Sequence, residues 1–331
     1  MSVSASTTTP RVSIVMPTYK RAHLLGGAIE NVLAQSFRDF ELIVVDDNSP
    51  DDTPQVVARF DDPRIRYVRN EPNLRLPRAL NRGFALARGQ YLTWTSDDNF
   101  FADTAIERMV QVLDRGDCDL VYADYYMFAE VDAVGRPTDA KHDRLPASLQ
   151  LDKGNHIGAC FLYTRRAYEA VGDYDPELFL VEDYDYFIRI AKQFEACHIA
   201  EPLYYFRRDD DTLYLSRFAE VKASDVLVRY KNGLIDENQL VDGMVGLLAR
   251  NPAGLKNRTL GGLHGFLKKR SYRLSQWHEK LMRDYLSRQL RPRAATVLAQ
   301  YKAGQLSFGQ ARDALRELMQ GLGAIEYRTS P

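Results

Sequence analysis

Apolar residues are distributed along the first two hundred positions in two alternating rhythms. "RVSIVMPTY" (residues 11–19) is a β-branched apolar run that stops at Pro17, the pattern of a buried strand. Leu25, Ile29, Val32 and Leu33 then recur at helical spacing within residues 23–35. "FELIVVDDNS" repeats the strand pattern, and "DDTPQVVARF" predicts the next helix, with its Asp/Ser/Thr cluster as the N-terminal signal. "IRYVRN" predicts a short strand, residues 76–87 a helix closed by Gly89, and "YLTW" the strand after it. Strand and helix alternating at short intervals predict a parallel sheet wrapped by helices, an α/β architecture. In such sheets ligands bind beyond the carboxyl ends of the strands. Those ends read "PTYKR", "DDNSPDD" and "TSDDN", so the three are expected along one edge.

The rhythm changes after residue 104. Residues 106–113 predict a helix and "DLVYADYYMF" a strand, while the polar stretch 130–155 predicts a long loop over the site. "GACFLYTRRAYEAVG" gives strand, helix and a glycine turn, and "EDYDYFIRIAKQF" a helix opening on Glu182 and Asp183. From residue 214 to the end the segments are amphipathic helices. The expected organisation is a disordered leader (1–10), an α/β domain (11–213) and a C-terminal helical region (214–331).

Composition removes some classes of function. A net charge of −1 over 331 residues provides no global field for nucleic acid or an anionic membrane. Three scattered cysteines suit a reducing compartment and have no metal-ligand spacing. The Ser/Thr-rich start is not a secretory signal, and no apolar run is long enough to cross a bilayer. A cytoplasmic location is therefore expected, with the inner face of the membrane as the surface it would visit. No GxGxxG or GxxxxGK[ST] follows any strand, so the dinucleotide and P-loop readings lose their main support.

Five segments in order, "SIVMPTYKR", "LIVVDDNSPDDT", "ALNRGFALARGQYLTWTSDDN", "VGDYDPEL" and "EDYDYFIRI", resemble a family 2 glycosyltransferase over residues 11 to about 215. The "TSDDN" form is most similar to the spore-coat polysaccharide branch. The resemblance implies the GT-A fold, a Rossmann-like, mostly parallel sheet with helices on both faces, here with a C-terminal helical extension. It implies inverting transfer from a nucleotide-diphospho-sugar, most simply a UDP-sugar, to a hydroxyl of a glycan or lipid-linked acceptor in cell-surface polysaccharide synthesis.

Chemistry gives each segment a reason. A departing diphosphate develops negative charge that a divalent cation stabilises. Oxygen donors suit Mg²⁺ or Mn²⁺, and Mg²⁺ uses one or two protein carboxylates plus phosphate. Asp97 and Asp98 supply that number, and two adjacent like charges need a cation between them. The resemblance assigns one of the pair to metal and the other to ribose. Asp98 is the favoured metal ligand, but Thr95 stands where the commoner family form has the first Asp of DxDD, and counting by that form makes Asp97 the ligand. The competing reading of "SDDN" is a helix cap.

By the same resemblance Asp46 accepts the imide N–H of uracil, Tyr19 stacks on the base, and Pro17 and Thr18 shape the pocket. Arg75 or Arg78 reaches base or phosphate, or is solvated surface. Asp183 matches the catalytic base and Glu182 orients it or the acceptor; the alternative is an acidic first helical turn. Family members often place a histidine near "FRRDDDT", and this chain has none. Arg207 and Arg208 are candidates for gripping the diphosphate, with Asp209 as a substitute ligand or part of a solvated loop. His156 either faces the acceptor or is structural. "FLKKRSYRLSQW" (266–277) mixes basic and apolar residues, suiting a peripheral membrane contact or packing on the domain or in a homo-oligomer. Two alternatives stay open: a nucleotidyltransferase, which would need a Gly/Lys/Arg-rich loop after the first strand, and an inactive scaffold in a polysaccharide assembly complex.

Overall fold

A computed structural model describes residues 9–132, 137–208, 212–251, 255–270 and 272–324. All but the last two residues of the expected leader lie outside the described residues, and Pro10 is already buried. The chain divides at Asp209/Asp210 into two compact units.

In the first unit the elements run β1 (Val12–Thr18), α1 (Ala22–Leu33), β2 (Phe40–Asp46), α2 (Thr53–Val57), β3 (Ile65–Arg69), α3 (Leu76–Phe84), β4 (Tyr91–Trp94), β5 (Phe100–Phe101), α4 (Ala105–Leu113), β6 (Leu120–Phe128), β7 (Lys141–Asp143), β8 (Phe161–Thr164), α5 (Arg165–Val171), α6 (Glu182–Ala191) and β9 (Ala196–Arg207). They build one sheet in the order β3-β2-β1-β4-β8-β6-β9-β5, with β7 added against β6. The first four strands in that order are parallel. β8 is antiparallel to both β4 and β6, and β9 is parallel to β6.

Every residue of β1 and β2 is buried, because central parallel strands are covered on both faces. α1 buries Leu25, Ala28, Ile29 and Val32, the i, i+3, i+4, i+7 stripe of an amphipathic helix. α3 reaches β1 through Gly83, where a Cβ would stand 2.4 Å from Val15 Cγ1; only glycine permits that approach. Asn81 on the same helix clamps a distant backbone. Its Nδ2 donates to Tyr174 O at 2.8 Å and its Oδ1 accepts from Tyr174 N at 2.9 Å.

Three elements depart from the pattern-based expectation. The long loop 130–155 contains β7, paired antiparallel with Tyr125–Met127 of β6. Its residues 133–136 lie outside the described residues. Asp124 ties β7 and β9 to β6, receiving His142 Nε2 at 2.9 Å and His198 Nε2 at 2.8 Å. "ACHIAEPLYYFR" forms the twelve-residue β9, and the two-residue β5 pairs with it.

The second unit is helical: α7 (Leu213–Ser216), α8 (Phe218–Lys231), α9 (Glu237–Ala249), α10 (Arg258–Arg270), α11 (Tyr272–Lys302) and α12 (Phe308–Leu322). Its core draws Met282, Leu286, Leu290, Ala294 and Leu298 of α11 at four-residue intervals against apolar positions of α9 and α12. Capping boxes start α9 (Asp236 with Gln239) and α12 (Ser307 with Gln310). No helix among the described residues is long and apolar enough to cross a membrane.

Candidate functional site

The chain leaves β1 for β2 and β3 on one side, then returns to place β4 on the other side of β1. In open α/β sheets such a reversal marks the place where ligands bind, here beyond the carboxyl ends of β1 and β4. Register pairs Thr18 with Asp46 and Val15 with Trp94, so Thr18 stands level with Asp97, three residues beyond β4's last paired position. Thr18 Oγ1 donates to Asp97 Oδ2 at 2.6 Å.

Asp97 and Asp98 are both nearly buried. Burial, and then the charge on Asp98, push the Asp97 carboxyl up to about 7. Arg21 Nη1 approaches Asp98 Oδ2 at 2.5 Å. Its placement comes from the β1–α1 turn: Lys20 adopts φ 58°, its N–H donates to Ser49 Oγ, and the Ala22 N–H donates to Asp51 Oδ2. "SDDN" caps no helix. β5 follows it, and the next helix, α4, has Thr104 as its N-cap, whose side chain makes no capping bond. No group of three or more metal-ligating His, Cys, Asp or Glu side chains exists among the described residues. Two crowded, poorly solvated carboxylates are a hard oxygen donor set that fits a divalent cation completed by ligand oxygens, not a protein-only cage.

On the β2 side, Asp46 is fully buried and receives three donors. Ser49 N–H reaches Oδ1 at 2.7 Å, while Tyr67 OH and Arg69 Nη1 reach Oδ2 at 2.6 and 3.1 Å. One acceptor direction therefore remains on Oδ1. Pro17 is buried within β1, whereas Tyr19 is 43% exposed, with Lys20 Nζ 5.2 Å from its ring centre. Asp47 fixes the segment leading into α3 by accepting Asn70 Nδ2 and the N–H groups of Leu74 and Arg75. Arg75 (φ 67°) and Arg78 are exposed at the start of α3.

A second pair of carboxylates opens α6. Glu182 is buried, and its Oε2 accepts Leu180 N–H at 2.8 Å. Asp183 keeps part of its surface open; Oδ1 accepts Tyr184 N–H at 2.7 Å and Oδ2 accepts Asn155 Nδ2 at 3.1 Å. These bonds satisfy N–H groups at the helix start, so the acidic first turn has a structural share in the arrangement. Burial pushes both carboxyls above the ordinary range, and for Glu182 the neighbouring charge of Asp183 adds to it. His156, half-buried, follows Asn155 directly.

Arg207 comes to the "TSDDN" turn. Its N–H donates to Asn99 Oδ1 at 2.7 Å, its Nε lies 3.4 Å from Asp98 O, and its guanidinium sits 5.1 Å over Phe128. Arg208 instead donates to Met127 Sδ at 3.0 Å, and Asp209 lies outside the described residues. Thr95, standing where an aspartate was expected, closes on Tyr204 OH at 2.7 Å. Arg21, Asp47, Tyr67, Arg69 and Asn155 were not picked out by pattern. "YKR" and the second Asp of "DDNS" were visible signals for two of them, but the partners of the others lie about twenty residues or more away.

The glycosyl transferase family 2 model matches residues 13–172. An uncharacterized glycosyltransferase of Rickettsia felis is 29% identical over 65% of this chain; the chain spans only 35% of that protein's length. The putative colanic acid biosynthesis glycosyl transferase WcaA of Escherichia coli K12 is 30% identical over 56% of this chain and 67% of its own length. The crystal structure of S. aureus TarS 1-349 in complex with UDP-GlcNAc has a TM-score of 0.57 and 16% identity, covering 94% of this chain and 91% of that one. This likeness establishes a common fold, and the sheet described above is the GT-A fold. On its match to WcaA, with the family model over residues 13–172, the chain belongs to glycosyl transferase family 2.

Proposed function

We propose that the chain is an inverting glycosyltransferase that moves a sugar from a nucleotide-diphospho-sugar, a UDP-sugar in the simplest case, to a hydroxyl of a glycan or lipid-linked acceptor during surface polysaccharide synthesis. The observation that carries this reading is the level row of Asp46, Thr18 and Asp97 at the carboxyl ends of three adjacent parallel strands, where the strand order reverses, with Thr18 bonded to Asp97. WcaA's printed role in colanic acid synthesis and the UDP-GlcNAc bound to TarS support the substrate class.

In this reading the base lies on Tyr19, against Pro17 and Thr18, with its imide N–H on the remaining direction of Asp46. Asp98 and Asp97 would hold Mn²⁺ or Mg²⁺ and the ribose, and the ion, when bound, would supply charge neutralisation for the departing diphosphate. Arg75 and Arg78, exposed at the start of α3, are assigned to the anion, and Arg207 braces the turn that carries the carboxylates. The acceptor hydroxyl attacks the anomeric carbon opposite the leaving diphosphate, and Asp183 takes its proton. A carboxylate raised by burial is a stronger base than a solvated one. Asn155 holds its Oδ2, and Glu182 fixes the turn beside it.

The test is Asp183→Asn. UDP affinity measured calorimetrically with Mn²⁺ should stay within about threefold, while turnover falls roughly 10²–10⁴-fold. In the parent, kcat should fall as pH drops through a value above the ordinary carboxylate range, because protonated Asp183 cannot accept the proton; the variant should lack that limb. Retained turnover would transfer the role elsewhere, and absence of UDP binding by the parent would remove the donor assignment.

A further inference from the structure

Five of the eight large apolar residues that stand exposed among the described residues lie on α10 and α11: Leu263, Phe266, Leu274, Trp277 and Leu281. The two helices pack on each other, with the His264 and His278 rings 5.8 Å apart between them. Leu274, Trp277 and Leu281 follow the i, i+3, i+7 spacing, so on a helix advancing about 100° per residue they share an arc of about 60°. Trp277 is 61% exposed. A contiguous apolar stripe of this kind on a folded surface marks a contact site.

The charge of the same segment indicates what it contacts. Residues 256–283 contain eight lysines and arginines against one acidic residue, Glu279, in a chain whose net charge is −1. Lys256, Arg273 and Lys280 are exposed, and Arg273 and Lys280 border the arc on Trp277's side. Pairing with a second copy through this face would set these like charges against one another. A nucleic acid would use the charge and leave the large apolar side chains in water. An anionic bilayer uses both, since aliphatic and indole groups enter the headgroup–acyl boundary while basic heads stay among the phosphates.

We propose that the α10–α11 hairpin is a docking surface for an anionic lipid bilayer, with Leu263, Phe266, Leu274, Trp277 and Leu281 inserted and Lys256, Arg273 and Lys280 on the headgroups. The contact lies on the membrane and does not span it. It does not depend on the donor or catalytic assignments.

The experiment is co-sedimentation of the full chain with vesicles of phosphatidylcholine alone or mixed with phosphatidylglycerol, with tryptophan emission recorded in parallel. The chain should partition onto the mixed vesicles at least about tenfold more strongly than onto neutral ones, and added salt should weaken it. Emission should shift to the blue, a shift absent from Trp277→Phe although that variant still binds. Phe266→Ser with Trp277→Ser, and separately Arg273→Gln with Lys280→Gln, should each weaken partition by about tenfold or more. Unchanged melting temperature and UDP response in these variants would show that fold and donor site are intact. Equal binding to both vesicle types, no binding to either, or a scattering mass that halves with Trp277→Ser while vesicles are ignored would each overturn the proposal, the last by assigning the face to self-association.

Discussion

Glu182 and Asp183 are neighbours in sequence but differ in environment. Glu182 is buried with its Oε2 on the Leu180 N–H, and Leu180 is held at φ 87°. Its carboxyl is raised by burial first and by the Asp183 charge second. In the pH range between the unfolded glutamate value, about 4.3, and this raised native value, the folded protein binds more protons than the unfolded one. Stability must then fall as pH rises through that range. Glu182→Gln keeps the acceptor for Leu180 N–H and removes the titration. Its melting temperature should therefore exceed the parent's at alkaline pH, converge with it near pH 4, and show a flatter pH slope by calorimetry. Asp97–Asp98, Asp46 and Glu182–Asp183 were legible in the sequence because each is acidic at the end or start of a regular element. Arg21, Arg69 and Asn155 were not, because each acquires its meaning from a carboxylate more than twenty residues away in the sequence. No periodicity records a bond between residues 155 and 183.

α3 shows how one helix connects distant parts of the chain. Gly83 lets it sit on Val15, and Asn81 takes both the N–H and the C=O of Tyr174 in the manner of a sheet partner. That backbone segment leads directly into α6 and its carboxylates. Asn81→Ala leaves both main-chain groups without their partner in a half-buried setting, a loss of about 1–3 kcal/mol in chemical denaturation. Asn81→Asp, which cannot donate to Tyr174 O, should lose a comparable amount, whereas a merely space-filling role would leave it near the parent. α1 and α4 were readable from periodicity because each buries a regular stripe, and β1 and β2 because each is a short apolar run buried on both faces. α2 was expected as a full helix but has five residues, and β5 has two, too short for any period to register. β7 escaped because its three residues are polar and none is buried, and it is held by pairing with β6 and by the His142–Asp124 bond.

At the scale of the molecule, each compact unit has its own core, and every described candidate donor residue lies in the first. A chain ending at residue 213 should bind UDP within about threefold of the full chain by calorimetry, and a larger loss would make the helical unit part of the nucleotide site. Within the first unit, one seam divides the sheet. The parallel set β3-β2-β1-β4 joins the remaining strands through β4 and β8, with only Tyr91–Thr164 and Leu92–Tyr163 in register. Thr93 Oγ1 extends the junction by donating to Phe161 O at 2.7 Å. So short a ladder sets few backbone constraints across the seam, and side chains such as Asn81 on Tyr174 and Arg165 on the carbonyls of Ala87 and Gly89 complete the join. A lineage can rewrite β6, β8 and β9, with the loops they carry, while conserving the register of β1, β2 and β4. Descendants of one ancestral sheet can then diverge on one side of the seam while inheriting the other side unchanged.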